Sequence, residues 1–365
     1  MPEPIEDLPT PCIVIDAAIV RRNLAKAASY ACEHHLGIRP HTKTHKSTLL
    51  ARMQLEHGAV GLTVAKVGEA GIMASVTDDL LMAYPAVDRR RCAELANLAR
   101  GRKVRVGIDS TAAADCLAAA ARSAGSTIGI LVDLDVGHHR TGVQSPEDAL
   151  ALARYIEKAP GLRLDGVMFF PGHISSPPNE QAPALQAVSE LLESLLAVWR
   201  KNGLEAKNVS GGSTPTLFQS HLIPHLTEIR PGTYVYNDMN CVRGGCATLD
   251  DCAAWIITTV VSTAVPGQVV LDAGSKTLTS DRCGPAPDSG HGRVLEYPNA
   301  KIVKLSEEHA QVDVTACDRA PKVGDRVTVI PNHICPCINL QDAVYWKEPG
   351  ELARAMKVDA RGKVF

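Results

Sequence analysis

Residues 104–143 read VRVGIDSTAAADCLAAAARSAGSTIGILVDLDVGHHRTGV. A β-like run, Val104–Asp109, gives way to a stretch with helical apolar spacing, Thr111–Ser123, and then to a second β-like run, Ile128–Asp133. A strand, a helix and a strand at this spacing make the crossover unit of a parallel sheet. The same rhythm continues on both sides. Further strand candidates are Ile38–Lys43, Val60–Val64, Leu80–Tyr84, Leu164–Phe170, Ala206–Ser210 and Thr227–Arg230. Amphipathic stretches lie between them at Ala17–His35, Lys46–His57, Asp88–Arg100, Pro146–Lys158 and Glu180–Asn202. Eight such strands over roughly 210 residues is the number that closes a (β/α)8 TIM-type barrel. An open doubly wound sheet is the alternative, but no strand is followed by G-x-G-x-x-G.

The rhythm stops near residue 245. From there, short alternating runs with Gly/Pro punctuation take over: Ala254–Val265, Gln268–Leu271, Lys301–Leu305, Ala310–Val314 and Arg326–Ile330. The expected organisation is an α/β barrel over 17–245 and a smaller all-β domain over 246–365. The early run Cys12–Asp16 is expected to carry residues 1–16 into that β-domain.

The 365 residues hold 38 Lys+Arg against 40 Asp+Glu, so no broad basic field exists to attract nucleic acid. Aromatic content of 4% argues against base-stacking surfaces as well. No apolar run reaches the roughly 20 residues that span a bilayer. The first ten residues, MPEPIEDLPT, are acidic and proline-rich and lack the apolar core of a secretory signal. The eleven cysteines are scattered and odd in number, so they read as small buried hydrophobes in a reducing compartment. A cytoplasmic location is expected.

In a barrel of this kind function gathers at the C-terminal strand ends. The unusual polar clusters all fall there: Arg39–Lys46, Asp133–Val143, Phe169–His173, Ser210–Thr216 and Glu228–Tyr234. Gly211-Gly212-Ser213-Thr214-Pro215 at an expected helix start presents backbone N–H groups and two hydroxyls, which suits an anion. Pro231-Gly232-Thr233-Tyr234 supplies the second half of a phosphate site between the last two strands. Lys43 at the barrel mouth, with Arg39 and Lys46 disfavouring its charged form, is a candidate nucleophile for an aldehyde. Taken alone, that stretch reads rather as a solvated basic loop. With a phosphate cradle on the same barrel face, it points to pyridoxal phosphate.

The third cluster is Pro331-Asn332-His333-Ile334-Cys335-Pro336-Cys337. On an extended segment, His333 and Cys335 share one face and can hold Zn²⁺ with positions left open for substrate and water. A structural histidine among buried cysteines is the competing reading. Pro336 leaves the direction of Cys337 open.

Together R-P-H-x-K-T-H-K (39–46), G-G-S-T-P-T (211–216), R-P-G-x-Y (230–234) and P-N-H-x-C (331–335) resemble the D-serine dehydratase / D-threonine aldolase family. These are fold-type III PLP enzymes with the alanine-racemase barrel and β-domain, and the resemblance covers nearly the whole chain. It implies that Lys43 is the Schiff-base lysine and that Gly212, Ser213, Thr214, Gly232 and Tyr234 cradle the phosphate. It also implies Arg140 near the cofactor's phenolic oxygen, His173 close to the cofactor, and His333 and Cys335 as the metal pair. Phe170 stands where many members have tyrosine, so any role of that hydroxyl is absent.

The resemblance implies a PLP- and metal-dependent lyase for D-3-hydroxy amino acids such as D-serine, D-threonine or D-3-hydroxyaspartate. Loss of the Cα proton and the hydroxyl gives a 2-oxo acid and ammonia. Loss of the hydroxyl proton with Cα–Cβ cleavage gives glycine and an aldehyde. His-x-Cys favours the dehydratase and zinc, whereas the aldolases compared tend towards His-x-Asp, with manganese or magnesium. His309 is a candidate second-shell partner or base, with a half-exposed strand residue as the plainer reading. A racemase or a PLP-homeostasis protein would leave the metal pair unexplained. A homodimer follows by analogy.

Overall fold

The computed structural model describes residues 2–365. Strand β1, Cys12–Asp16, comes first. Eight strands follow: β2 (Gly37–Ile38), β3 (Leu62–Val64), β4 (Asp79–Met82), β5 (Lys103–Ile108), β6 (Ile128–Leu134), β7 (Leu162–Phe169), β8 (Asn208–Gly211) and β9 (Glu228–Ile229). They form one parallel sheet in the order β2-β9-β8-β7-β6-β5-β4-β3. Its two ends meet. Val60 N donates to Ile38 O, Thr63 N to Pro40 O and Thr42 N to Thr63 O, and a parallel bridge joins His41 to Thr63. The expected barrel is therefore present, closed by hydrogen bonds beyond the formal end of β2. The expected strand Ile38–Lys43 is cut short because Pro40 has no N–H to give to a ladder.

The covering helices start and stop where local chemistry dictates. Asp88, Ser110 and Ser145 each accept a backbone N–H three residues on, satisfying donors that the first turn leaves orphaned. The helix Thr111–Ala124 then ends at Gly125 in the left-handed conformation.

A second sheet contains β1 and the remaining strands: β10 (Ala254–Ser262), β11 (Gln268–Leu271), β12 (Arg293–Val294), β13 (Lys301–Leu305), β14 (Ala310–Asp313), β15 (Arg326–Ile330), β16 (Ala343–Lys347) and β17 (Arg354–Lys357). Within it, β1 runs antiparallel to β10 and parallel to β16. Two compact units result. The barrel unit holds Lys26–Lys43, Ser47–Gly232 and Lys363–Phe365, and the sheet unit holds residues 2–25, Thr44–Lys46 and Thr233–Gly362. The chain thus leaves the barrel unit at Gly232, ahead of the expected boundary at 245. The reason lies in Thr233–Gly245: Met239 N and Asn240 N bond to the carbonyls of Pro331 and Asn332, and Ala253 N bonds to Tyr236 O.

The barrel interior is not wholly apolar. Glu228, Arg39, Asp79, Arg105 and Asp165 form a chain of ion pairs at 2.9, 2.7, 2.8 and 2.9 Å in turn. Arg39 and Arg105 are buried, as are Glu228 and Asp165. Arg39 is therefore not a loop cation beside Lys43, as the sequence suggested, but a guanidinium committed to two carboxylates. Room for the chain is made by small residues. A Cβ on Gly129 would lie 2.3 Å from Asp165 Oδ2 and 3.0 Å from Arg105 Cγ.

Breaking a buried ion pair from one side leaves an uncompensated charge and costs about 3–5 kcal/mol. Arg105→Met is expected to lose about that much stability, and Gly129→Ala about 1–3 kcal/mol through overpacking, both measured by denaturant unfolding. Burial pushes the Asp165 carboxyl up, but Arg163 and Arg105 outweigh it and hold it below the usual carboxylate range. Its stabilisation is therefore full above about pH 4 and is lost as pH falls through the lower folded value. Arg105→Met should show a shallower loss of stability over that acid range.

Candidate functional site

Lys43 follows the barrel-closing bridge and lies in a turn over residues 42–45, with its side chain exposed. Its amide donates to His41 Nδ1 at 3.4 Å. The next residue, Thr44, belongs to the sheet unit. Lys46 is buried there, and its Nζ donates to Ala360 O at 3.4 Å.

The loop after β6 is organised by one carboxylate. Asp135 Oδ1 accepts the amides of Gly137 and His139, both at 3.0 Å, and Oδ2 meets His139 Nδ1 at 2.8 Å. Burial alone would raise this carboxyl, but those donors hold it far below the usual range. The loop presents His138 and Arg140 beside the end of β7. Arg140 sits 4.8 Å above the Phe170 ring, and His138 meets the same ring edge-on at 5.2 Å. His173 packs against Gly137, where a Cβ would come within 3.2 Å of its ring. Gly137 has φ +113°, so glycine answers both the backbone and the space. Desolvation lowers the His173 and His138 pKa values, aided for His138 by Arg140 and His173.

The phosphate-loop residues come together, with a change from expectation. Ser213–Thr216 is a turn followed by the 3-10 helix Leu217–Leu222, not the start of an α-helix. Ser213 N donates to Thr216 Oγ1 and Thr216 N to Ser213 Oγ, while Gly232 N donates to Thr214 Oγ1 at 3.2 Å. The hydroxyls thus stitch the loop after β8 to the loop after β9. Tyr234, two residues past Gly232, is buried in the sheet unit.

Below this loop lies Arg230, which the motif reading quoted but gave no role. Arg230 is fully buried and donates to Ser210 Oγ at 2.6 Å and to Phe169 O at 2.7 Å, while Ser210 donates to Glu228 at 2.7 Å. Desolvation lowers its pKa to about 10. Nearby, burial raises Asp133 to about 6, against the hydrogen bond from Thr141 and the charge of Arg230.

In the sheet unit the expected extended His-x-Cys is instead a helix start. His333 caps the helix Ile334–Leu340 with extended backbone, and Cys335 lies in its first turn. Asp238 holds this start: Oδ2 accepts Ile334 N and Oδ1 accepts Cys241 N, both at 3.1 Å. Cys335 Sγ lies 3.2 Å from Thr44 Oγ1, and His333 Nδ1 lies 2.7 Å from Asp281 Oδ2. Burial opposes charge on both groups of the pair, yet their mutual interaction wins, raising the imidazole and lowering the thiol. Cys337 turns away: its thiol donates to His333 O and Leu278 O, and burial pushes its pKa well up. His309 is exposed on the turn between β13 and β14.

Thr44, Asp238 and Asp281 were not singled out by motif reading. An Asp three residues before Cys241 is a cap pattern, but nothing in the sequence links Asp281 to a histidine 52 residues away.

A parallel barrel carrying a lysine, an arginine and a phosphate-type loop at its strand ends, continued by a sheet unit, defines the alanine-racemase class of fold. The chain belongs to the family "Alanine racemase, N-terminal domain", whose model matches residues 15–240, and a serine dehydratase domain matches 253–346. The D-threonine aldolase of Arthrobacter sp is 29% identical, covering 99% of this chain and 94% of that protein. The D-threo-3-hydroxyaspartate dehydratase of Delftia sp. (strain HT23) is 32% identical, covering 92% and 93%. A cysteine-to-alanine mutant of D-threo-3-hydroxyaspartate dehydratase in the metal-free form superposes with a TM-score of 0.88 at 28% identity, covering 96% and 97%. These relatives are lyases, and the family is PLP-dependent.

Replacing Asp135 by Ala removes a charged acceptor worth about 1.5–3 kcal/mol per hydrogen bond. Amide hydrogen exchange at Gly137 and His139 should accelerate by about 10- to 100-fold, with the strand amides of β6 unchanged.

Proposed function

We propose that this chain is a PLP- and zinc-dependent lyase of D-3-hydroxy amino acids, acting chiefly as a dehydratase that yields a 2-oxo acid and ammonia. The observation that carries this reading is the placement of His333 and Cys335 together at one helix start, an imidazole held by Asp281 at 2.7 Å and a buried thiol 3.2 Å from Thr44 Oγ1. A nitrogen–sulfur donor pair suits zinc over magnesium or manganese. The Tyr236 hydroxyl is buried with no hydrogen-bond partner among the described residues and feels the Cys335 charge, so a polar group near the pair would satisfy it. A cysteine-to-alanine mutant of the dehydratase relative occurs in a metal-free form, which agrees with a cysteine ligand.

The phosphate would be held by Gly212, Ser213, Thr214, Gly232 and Tyr234, and the aldehyde by the Lys43 amine. When bound, pyridoxal phosphate supplies an electron sink for charge developing at Cα, and the metal supplies a Lewis acid for the 3-hydroxyl oxygen. Lys43 takes the proton from Cα. Arg140, steadied over Phe170, keeps a fixed positive charge beside the cofactor ring. His173, neutral at pH 7 because desolvation lowers its pKa, is the acceptor for the hydroxyl proton in the aldol-cleavage alternative. Thr44 follows Lys43 in the chain and meets the Cys335 thiol with its hydroxyl. The same reading includes a homodimer, from the fold-type III resemblance, and a cytoplasmic location, supported by eleven scattered cysteines, an odd number that suits no disulfide framework.

D-Serine, D-threonine and D-3-hydroxyaspartate given to the PLP- and zinc-loaded enzyme should each be followed to product. A 2-oxo acid with equimolar ammonia is expected. Glycine with an aldehyde would favour the aldolase activity named for the Arthrobacter relative. Lys43→Ala should abolish both, and Cys335→Ala should abolish the zinc-dependent part.

A further inference from the structure

We infer that Asp281 is a positioning residue for the metal pair, fixing His333 through Nδ1 so that Nε2 is the nitrogen offered to a divalent cation. The inference rests on the metal reading of His333 and Cys335 above. Asp281 Oδ2 lies 2.7 Å from His333 Nδ1, a distance that commits this ring nitrogen to the carboxylate. A carboxylate there keeps the proton on Nδ1, raises the basicity of Nε2 and stops rotation of the ring.

Both sides of this contact hang on one buried amide. Asn332, immediately before His333, donates from Nδ2 to Asp281 O at 3.1 Å and to Gly290 O at 2.7 Å. It is 1% exposed, so the amide does not exchange these partners for water at little cost. Thr279 adds a hydrogen bond from the Asp281 amide to its Oγ1 at 3.3 Å. The aspartate is therefore delivered by a segment tied to the residue next to the histidine. Asp238 performs a different task, gripping the backbone of Ile334 and so placing Cys335. One carboxylate orients the imidazole; another sets the helix start that bears the thiol.

The test is a competition titration of Zn²⁺ against a chromophoric chelator, on PLP-loaded wild type and the D281A, D281N, D281E and H333A variants. Removing a carboxylate behind a ligating histidine lowers metal affinity by about 10- to 100-fold. D281A should fall in that range. D281N, which still accepts from Nδ1 without charge, should fall less, and D281E should recover most of the affinity. At saturating Co²⁺ the thiolate charge-transfer band should persist in D281A, since Cys335 is placed independently. A D281N variant that folds with wild-type thermal stability covers the case in which D281A does not fold. If D281A and D281N bind Zn²⁺ like wild type while H333A does not, the inference is overturned and the metal reading stands. If H333A binds like wild type, the metal reading itself fails, and the inference with it.

Discussion

The chain of ion pairs inside the barrel is the constraint on which the rest of the structure depends. Glu228, Arg39, Asp79, Arg105 and Asp165 come from five separate points of the sequence and meet in the barrel interior. A charge in such surroundings is tolerable only when it is paired and hydrogen-bonded. Each member therefore restricts the register of the strand that carries it, because a slip of one residue would turn it to the other face. The pairs also explain local features that look arbitrary in isolation, such as the glycine at 129, whose missing side chain gives Asp165 its space.

The ionic chain does not end below the site. Glu228 accepts from Ser210, Ser210 accepts from Arg230, and Arg230 holds the carbonyl of Phe169, the last residue of β7. The next residue is Phe170, against which Arg140 and His138 rest. A continuous hydrogen-bonded path thus leads from the buried ions to the aromatic platform at the barrel mouth. Two segments are each held by a single carboxylate acting on backbone amides. Asp135 does this for the Arg140 loop, and Asp238 does it for the segment with His333 and Cys335. Such charge-assisted contacts fix the backbone that bears these side chains.

The proposed chemistry asks for groups of opposite character: a lysine and arginine open to an anionic cofactor, and a thiol buried enough to bind a soft metal. The barrel unit supplies the first at exposed strand ends, and the sheet unit supplies the second under a helix cap. Lys43 and Thr44 are consecutive residues yet fall in different units.

Much of this was legible in the sequence. The alternation of β-like and helical runs announced a barrel, because period 2 and period 3.6 are local properties of the chain. The motifs at 39–46, 211–216, 230–234 and 331–335 pointed to the family because residue type and spacing survive without coordinates. Other features were not legible. Arg39 read as a loop cation, since only the fold brings Glu228 and Asp79 to it. The extended reading of His333–Cys335 gave way to a helix start because Asp238, almost a hundred residues earlier, supplies the cap for Ile334. His309 and Cys337 matched simple patterns but were sent elsewhere by a turn and by helical geometry. The sequence by itself determined the fold class and the family, which rest on local periodicity and on residue type at fixed spacing. Only the tertiary structure decided which carboxylate meets which cation, amide or imidazole, because those pairings join residues that the chain keeps far apart.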